Sequence, residues 1–206
     1  MAAIIFDFDG TIADSFDYIA GFLAEAAGRP PLSVEQKQQL RGQSMAAIGR
    51  QFGLSWWHLL RLFFKGRQQM RGAIEQIEPF DDMPDVIKKL HAEGHELFIL
   101  SHNTVVNVHA FLHHYKLHTY FLEIYGGVGL FGKAPALRKL LKDQKIEKGN
   151  ALYIGDELRD VQAAQSIGLR VIAVNWGFAR SADLEALKPT ALASQPEDLI
   201  KILEEL

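Results

Sequence analysis

Residues 1–14 read MAAIIFDFDGTIAD. An apolar run over residues 2–6 leads directly into Asp7 and Asp9, and then into Gly10-Thr11. A short apolar run closed by a glycine-containing turn predicts a buried strand over residues 2–8. Two carboxylates at the exit of a buried strand cost free energy unless something pairs with them. A solvated turn after an edge strand is the bland explanation. The apolar strand before them and the Gly-Thr turn after them favour a chemical role instead.

Downstream the pattern changes twice. Between residues 15 and 78 there is no convincing strand. DSFDYIAGFLAEAAG (14–28) has helical spacing at Phe16, Ile19, Ala20 and Leu23, and ends at a Gly-Arg-Pro-Pro break. SVEQKQQLRG (33–42) fits a second helix, with Ser33 as N-cap and Gln36 completing a capping box. Residues 44–77 read as further helix. After Pro79, helix and strand alternate: 83–104 carries a helix, a stop at Gly94 and a strand ending at Leu100. Helix follows over 105–117, a short strand over 120–126, helix over 134–144 and a strand over 150–155. Helix over 161–168, strand over 169–177 and a terminal helix complete the chain. Alternation of this kind predicts a parallel sheet with helices on both faces. The domain reading is an α/β core from residues 1–14 and 80–206, interrupted by a helical unit over 15–79.

Composition narrows the partners. The chain has 206 residues, enough for one sizeable domain with an insert. Hydrophobic residues make up 48% and charged residues 23%, the balance of a soluble globular protein. A net charge of -3 offers no electrostatic case for nucleic acid. There is no cysteine, so disulfides and thiolate metal sites are excluded. Apolar runs are short and broken by charge, so no membrane span is expected. Asp7 and Asp9 fall where a signal peptide would need its apolar core, so a cytoplasmic setting is expected. Monomer and homodimer both stay open.

In parallel sheets, ligands bind beyond the carboxyl ends of the strands. The polar residues there are Asp7 and Asp9 after the first strand, and Ser101, His102 and Asn103 after the second. Lys133 follows the third, and Asp156 and Asp160 follow ALYIG. Carboxylates without cysteine or metal-spaced histidine suit a hard, oxygen-preferring cation, most naturally Mg2+. A lysine, a hydroxyl and an amide on the same rim suit an anion with several oxygens, such as phosphate, whose repulsion by the acids Mg2+ and Lys133 would offset. Ser101 also reads as an N-cap, Lys133 as a solvated first-turn lysine and Asp160 as a first-turn helix acid.

FDFDGTIAD, LSHN, GKAPAL and GDELRD, in that order, resemble the motifs of the haloacid dehalogenase superfamily of hydrolases across the whole chain. The resemblance implies a three-layer, Rossmann-like core with a small inserted helical cap of the phosphoglycolate phosphatase-like subclass. It implies that Asp7 is the nucleophile and a Mg2+ ligand, and that Asp9 is the general acid and base with its carbonyl on the metal. Ser101 and the backbone N–H groups of His102 and Asn103 would hold phosphate oxygens. Lys133 would bridge nucleophile and phosphate, Asp156 would ligate Mg2+, and Asp160 would support the metal's surroundings. An aspartate at position 9 favours phosphate-ester cleavage and leaves phosphomutases open. His102 and Glu157 depart from the residues common in relatives. The expected activity is a Mg2+-dependent phosphatase acting on a small phosphorylated metabolite. The alternatives are a phosphomutase, which product analysis with a hexose monophosphate separates, and a non-catalytic phospholigand-binding protein, which lacks Mg2+-dependent phosphate release.

Several other residues carry weaker signals. Arg41 and Gln43 are candidates for reading the distal end of the substrate, with a surface salt bridge the alternative for Arg41. Trp56, Trp57, Phe63 and Phe64 line an entrance or, in the favoured reading, pack the helical insert. His109, His113 and His114 share a helix, more simply as a solvated face than as a metal site. Trp176, Gly177 and Phe178 either shape the rim or pack beneath it.

Overall fold

The computed structural model describes residues 1–43, 45–129 and 132–206. Its centre is the apolar stretch at the start of the chain. β1 (Ala3–Phe6) is buried along its whole length and hydrogen-bonds to β2 (Glu96–Leu100) on one side and β4 (Ala151–Gly155) on the other. β3 (Phe121–Tyr125) extends the sheet beyond β2, and β5 (Arg170–Val174) and β6 (Ala191–Ala193) extend it beyond β4. All pairings are parallel and the order is β3-β2-β1-β4-β5-β6.

Alternate side chains enter opposite faces, as the pleat requires. Ile4, Phe6, Leu97, Ile99, Leu152 and Ile154 pack with α5 (Met83–Ala92), α6 (Val105–His114) and α10 (Asp198–Glu205). Ala3, Ile5, Phe98, Leu100, Tyr153 and Val171 pack with α7 (Lys133–Asp143), α8 (Leu158–Ser166) and α9 (Ser181–Ala186). Burial on both faces explains why the strands read as unbroken apolar runs. The α/β expectation therefore holds, as three layers.

Between β1 and α5 lie α1 (Phe16–Ala26), α2 (Val34–Leu40), α3 (Met45–Gln51) and α4 (Trp56–Met70), with a 3-10 turn at Ile74–Gln76. Ser33 caps α2 with Gln36 in a reciprocal box. Phe16, Ala20, Leu23, Leu40, Ile48, Phe52 and Leu54 form a separate apolar cluster with Phe178. The chain leaves and re-enters the sheet layer at one place: Asp14 N donates to Glu78 O at 2.9 Å, and Phe80 N donates to Ile12 O at 3.0 Å.

Some details differ from the sequence reading: α8 spans Leu158–Ser166 rather than 161–168, and β5 ends at Val174 rather than residue 177. β1 stops at Phe6 rather than residue 8, because the carbonyl of Phe8 accepts the N–H groups of Thr11, Ile12 and Ala13 and so closes a turn. α9 and β6 are additional; six helical residues and three strand residues are too short to show a period.

Candidate active site

β1, β2 and β4 all end at the same edge of the sheet, and the order reverses across β1, so the loops after them face one crevice. Asp7 stands first in it. Its Oδ1 accepts the Phe8 N–H at 2.7 Å, and its Oδ2 accepts from Lys133 Nζ. Lys133 is the first residue of α7 and is buried, with its ammonium between Asp7 and Asp160 and 5.6 Å from the centre of the Tyr153 ring. Burial lowers the lysine pKa, but Asp160 and Asp7 outweigh it and hold the group charged. For Asp7 the balance goes the other way: burial pushes its pKa up to about 7 against the pull of Lys133.

Asp156 follows β4 and is fully buried. Its Oδ1 accepts from Thr11 Oγ1 at 3.0 Å and its Oδ2 from Phe178 N at 2.7 Å. Burial first, and then the charges of Asp7, Glu157 and Asp160, raise its pKa well above the usual carboxylate range. Asp160, at the third position of α8, accepts from Glu157 N at 3.1 Å, which fixes it over the crevice. One oxygen from each of Asp7, Asp156 and Asp160 lies within 4.8 Å of the others. Three buried carboxylates, of which Lys133 pairs with Asp7 and Asp160 only, are a donor set short of positive charge. All-oxygen ligands fit a hard divalent ion such as Mg2+.

Glycine makes this packing possible. A Cβ on Gly177 would fall 2.3 Å from Asp156 Cβ and 2.4 Å from Gly10 O.

Asp9 stands apart from the lysine. Its Oδ2 accepts from Asn103 Nδ2 at 3.0 Å, and its Oδ1 is buried with no hydrogen-bond partner among the described residues. Burial raises its pKa, while the hydrogen bond from Asn103 pulls it part of the way back. Ser101 is buried at the end of β2, where its hydroxyl accepts the Asn103 N–H at 2.9 Å. Thr104, not Ser101, caps α6. His102 turns its Nδ1 to Val128 O at 2.8 Å, and burial, with Arg159 and Lys133 nearby, depresses its pKa to about 4.

A cavity of about 690 Å³ opens above these groups. Asp7, Asp9, Ser101, His102, Asn103 and Lys133 line it. The structure thus brings together residues that stand up to 153 positions apart, from Asp7 to Asp160. It does not bring Arg41 to them. Arg41 Nη2 pairs with Asp17 at 3.3 Å and Asp14 at 3.5 Å, with its guanidinium 4.7 Å from the Phe16 ring, away from the cavity lining. Gln43 donates to Gln39 O at 3.2 Å.

The aromatic and histidine signals divide. Trp56 lines the cavity mouth at 59% exposure and Trp57 is 73% exposed, so neither packs the insert. The side chains of Phe63 and Phe64 lie outside the described residues. Trp176 Nε1 donates to Thr11 O at 3.1 Å and so braces the loop after β1. His113 stacks on His118 at 3.8 Å, and among the described residues no candidate metal cluster includes a histidine.

Arg159 is a charged lining residue that the sequence reading does not single out. It pairs with Glu157, Nη2 to Oε1 at 2.8 Å, at the cavity wall. Its signal in the sequence is a base set among acids in GDELRD.

Residues 4–174 match the model of the family described as haloacid dehalogenase-like hydrolase. A phosphoglycolate phosphatase from Synechococcus elongatus is 35% identical, over 100% of this chain and 99% of its own. Phosphoglycolate phosphatase 1 from Pseudomonas aeruginosa is 28% identical, over 96% of this chain and 78% of its own. A haloacid dehalogenase-like family hydrolase from Streptococcus pneumoniae superposes with a TM-score of 0.81 at 22% identity, covering 98% of each chain, a likeness of fold.

Proposed function

Because the chain belongs to the haloacid dehalogenase-like hydrolases, we propose that it is a Mg2+-dependent phosphatase of the phosphoglycolate phosphatase type. It would hydrolyse a small phosphorylated metabolite through an aspartyl-phosphate on Asp7. The observation that carries this reading is the different company kept by the paired acids: Asp7 shares Lys133 with Asp160, whereas Asp9 is held by the neutral amide of Asn103. Lys133 pulls Asp7 toward its anion against the burial that raises its pKa, while Asp9, held by a neutral amide and raised by burial, is able to carry a proton.

The steps follow from those positions. The substrate phosphate sits against Ser101 and the backbone N–H groups beside it, with Lys133 offsetting its charge. An oxygen of Asp7 attacks phosphorus as the bond to the alcohol oxygen breaks. Asp9 gives its proton to that oxygen, and the alcohol leaves. Asp9, now ionised, takes a proton from water as the water oxygen attacks the phosphorus of the acyl phosphate. Inorganic phosphate departs and Asp7 is regenerated. Asp7, Asp156 and the Asp9 carbonyl, with Asp160 in support, would hold Mg2+, which would supply charge neutralisation for the phosphoryl oxygens.

Residues 15–79 would act as a cap that closes over the cavity and excludes bulk water, with hinges near Asp14-Ser15 and Pro79-Phe80. The meeting of both crossings at one hydrogen-bonded point supports that assignment. A cytoplasmic setting agrees with a small charged substrate, and no described helix is long and apolar enough to cross a membrane.

The test is Asp7→Asn, assayed for Mg2+-dependent phosphate release from an aryl phosphate. Loss by on the order of 10³-fold or more is expected, with unchanged circular dichroism. Retained turnover in the folded variant would refute the mechanism.

A further inference from the structure

The cavity asks more of its occupant than a phosphate. Its floor is polar, but the wall supplied by α1 and α4 is not: Tyr18, Phe22, Trp56, Leu59, Leu60 and Met70 face it. Among the described residues, the inserted helices contribute no charged side chain to the lining. The cations that line it among the described residues are occupied, Lys133 by Asp7 and Asp160 and Arg159 by Glu157. A second negative group on the substrate, carried toward this wall, would lose its hydration and, among the described residues, meet no unpaired cation.

An apolar body gains where a charged one loses. Rings stack on Phe22 and Trp56 and exclude water from leucine and methionine surface. Gly66 of α4 leaves room for the Phe22 ring, since a Cβ there would lie 3.0 Å from Phe22 Cε1. Trp56 is 59% exposed at the mouth although one side of it faces the cavity, an apolar surface that a ligand would cover. The volume, about 690 Å³, falls in the range that encloses a drug-sized ligand, roughly 300–1,000 Å³. A two-carbon hydroxy acid would fill little of it.

Resting on the phosphatase reading above, we infer that the alcohol half of the substrate is uncharged, apolar and ring-bearing, and that Phe22, Trp56, Leu59 and Met70 select it. The phosphate is read by the loops of the sheet and the alcohol by the inserted helices.

The experiment compares kcat/KM with Mg2+ for three esters: 2-phenylethyl phosphate, ethyl phosphate and phosphoglycolate. The first two release alcohols of similar basicity, so their difference reports binding rather than leaving-group reactivity. The expected preference for 2-phenylethyl phosphate over both others is roughly tenfold to a hundredfold, the factor that burying one aromatic side chain supplies. Trp56→Ala lowers that ratio, and Leu60→Lys, which puts a cation on the wall, shifts it toward phosphoglycolate. If phosphate is released but phosphoglycolate is preferred, or the three esters are equal, the inference is overturned and the phosphatase reading stands. A ratio unmoved by both substitutions overturns it as well. If no ester releases phosphate, the phosphatase reading fails and the inference goes with it.

Discussion

Asn103 donates its side-chain amide to Asp9 Oδ2 at 3.0 Å and thereby ties the end of β2 to the acid that follows β1. The same side chain accepts from Thr104 N and from Asn107 Nδ2, each at 2.9 Å, so its orientation is set by the first turn of α6. A helix start thus aims the general acid of the proposed reaction.

Asn103→Ala removes that aim. A positioned acid or base contributes about 10²–10⁴ in rate, and kcat should fall by about the lower end of that range while KM changes less. Steady-state kinetics beside a circular dichroism spectrum check it. A large rise in KM at constant kcat would place Asn103 in binding instead.

Asp156 is fully buried among like charges, and it should be the residue that reports metal. Mg2+ is expected to raise the melting temperature of the parent protein, by mass action worth about 2.7 kcal/mol at a hundredfold excess over Kd. Asp156→Asn should show little of that rise. Chelation should abolish phosphate release in the parent and Mg2+ should restore it. An equal thermal response in both proteins would move the ion elsewhere.

Gly177→Ala places a methyl group against backbone as well as side chain, 2.4 Å from Gly10 O. Neither neighbour can swing aside, so a loss of about 1–3 kcal/mol or more is expected in a urea titration. A stability equal to that of the parent would show that the loop after β5 gives way.

His102 gives an acid-side prediction. Its pKa is about 4 in the fold against 6.5 as the ordinary value, through burial and then the nearby Arg159 and Lys133. Between those values the unfolded chain binds a proton that the folded chain refuses. Stability from this group is therefore complete above about 6.5 and falls as the pH drops toward 4. His102→Asn should lose less stability than the parent between the two ends of that window. Equal losses would mean that the ring is hydrated.

The sheet and its rim were legible because both rest on local chemistry. Strands buried on both faces read as apolar runs, and each run ends on a polar residue that has no packing reason to be there. Asp7, Ser101 and Asp156 announced themselves in this way. Of the two readings open for Arg41, the structure shows the salt bridge, because Asp14 and Asp17 lie across from it in space and claim its charge. Nor could the wall of the cavity be read. In α1, Phe16 and Ala20 enter the third apolar cluster while Tyr18 and Phe22 face the cavity, and helical spacing does not distinguish a side chain that meets protein from one that awaits a ligand. Arg159 and Glu157 form a pair whose meaning depends on which way α8 points.

The hydrogen bonds from Asp14 to Glu78 and from Phe80 to Ile12 have an architectural consequence. An excursion whose two ends are already clasped puts no tension on the strands it interrupts, and loop length costs little once the ends meet. β1 and β2 would keep their register whatever was spliced between them. If the inserted helices select the alcohol as proposed, they form an exchangeable cassette, and a lineage could retool that choice without rebuilding the machinery that cuts the ester.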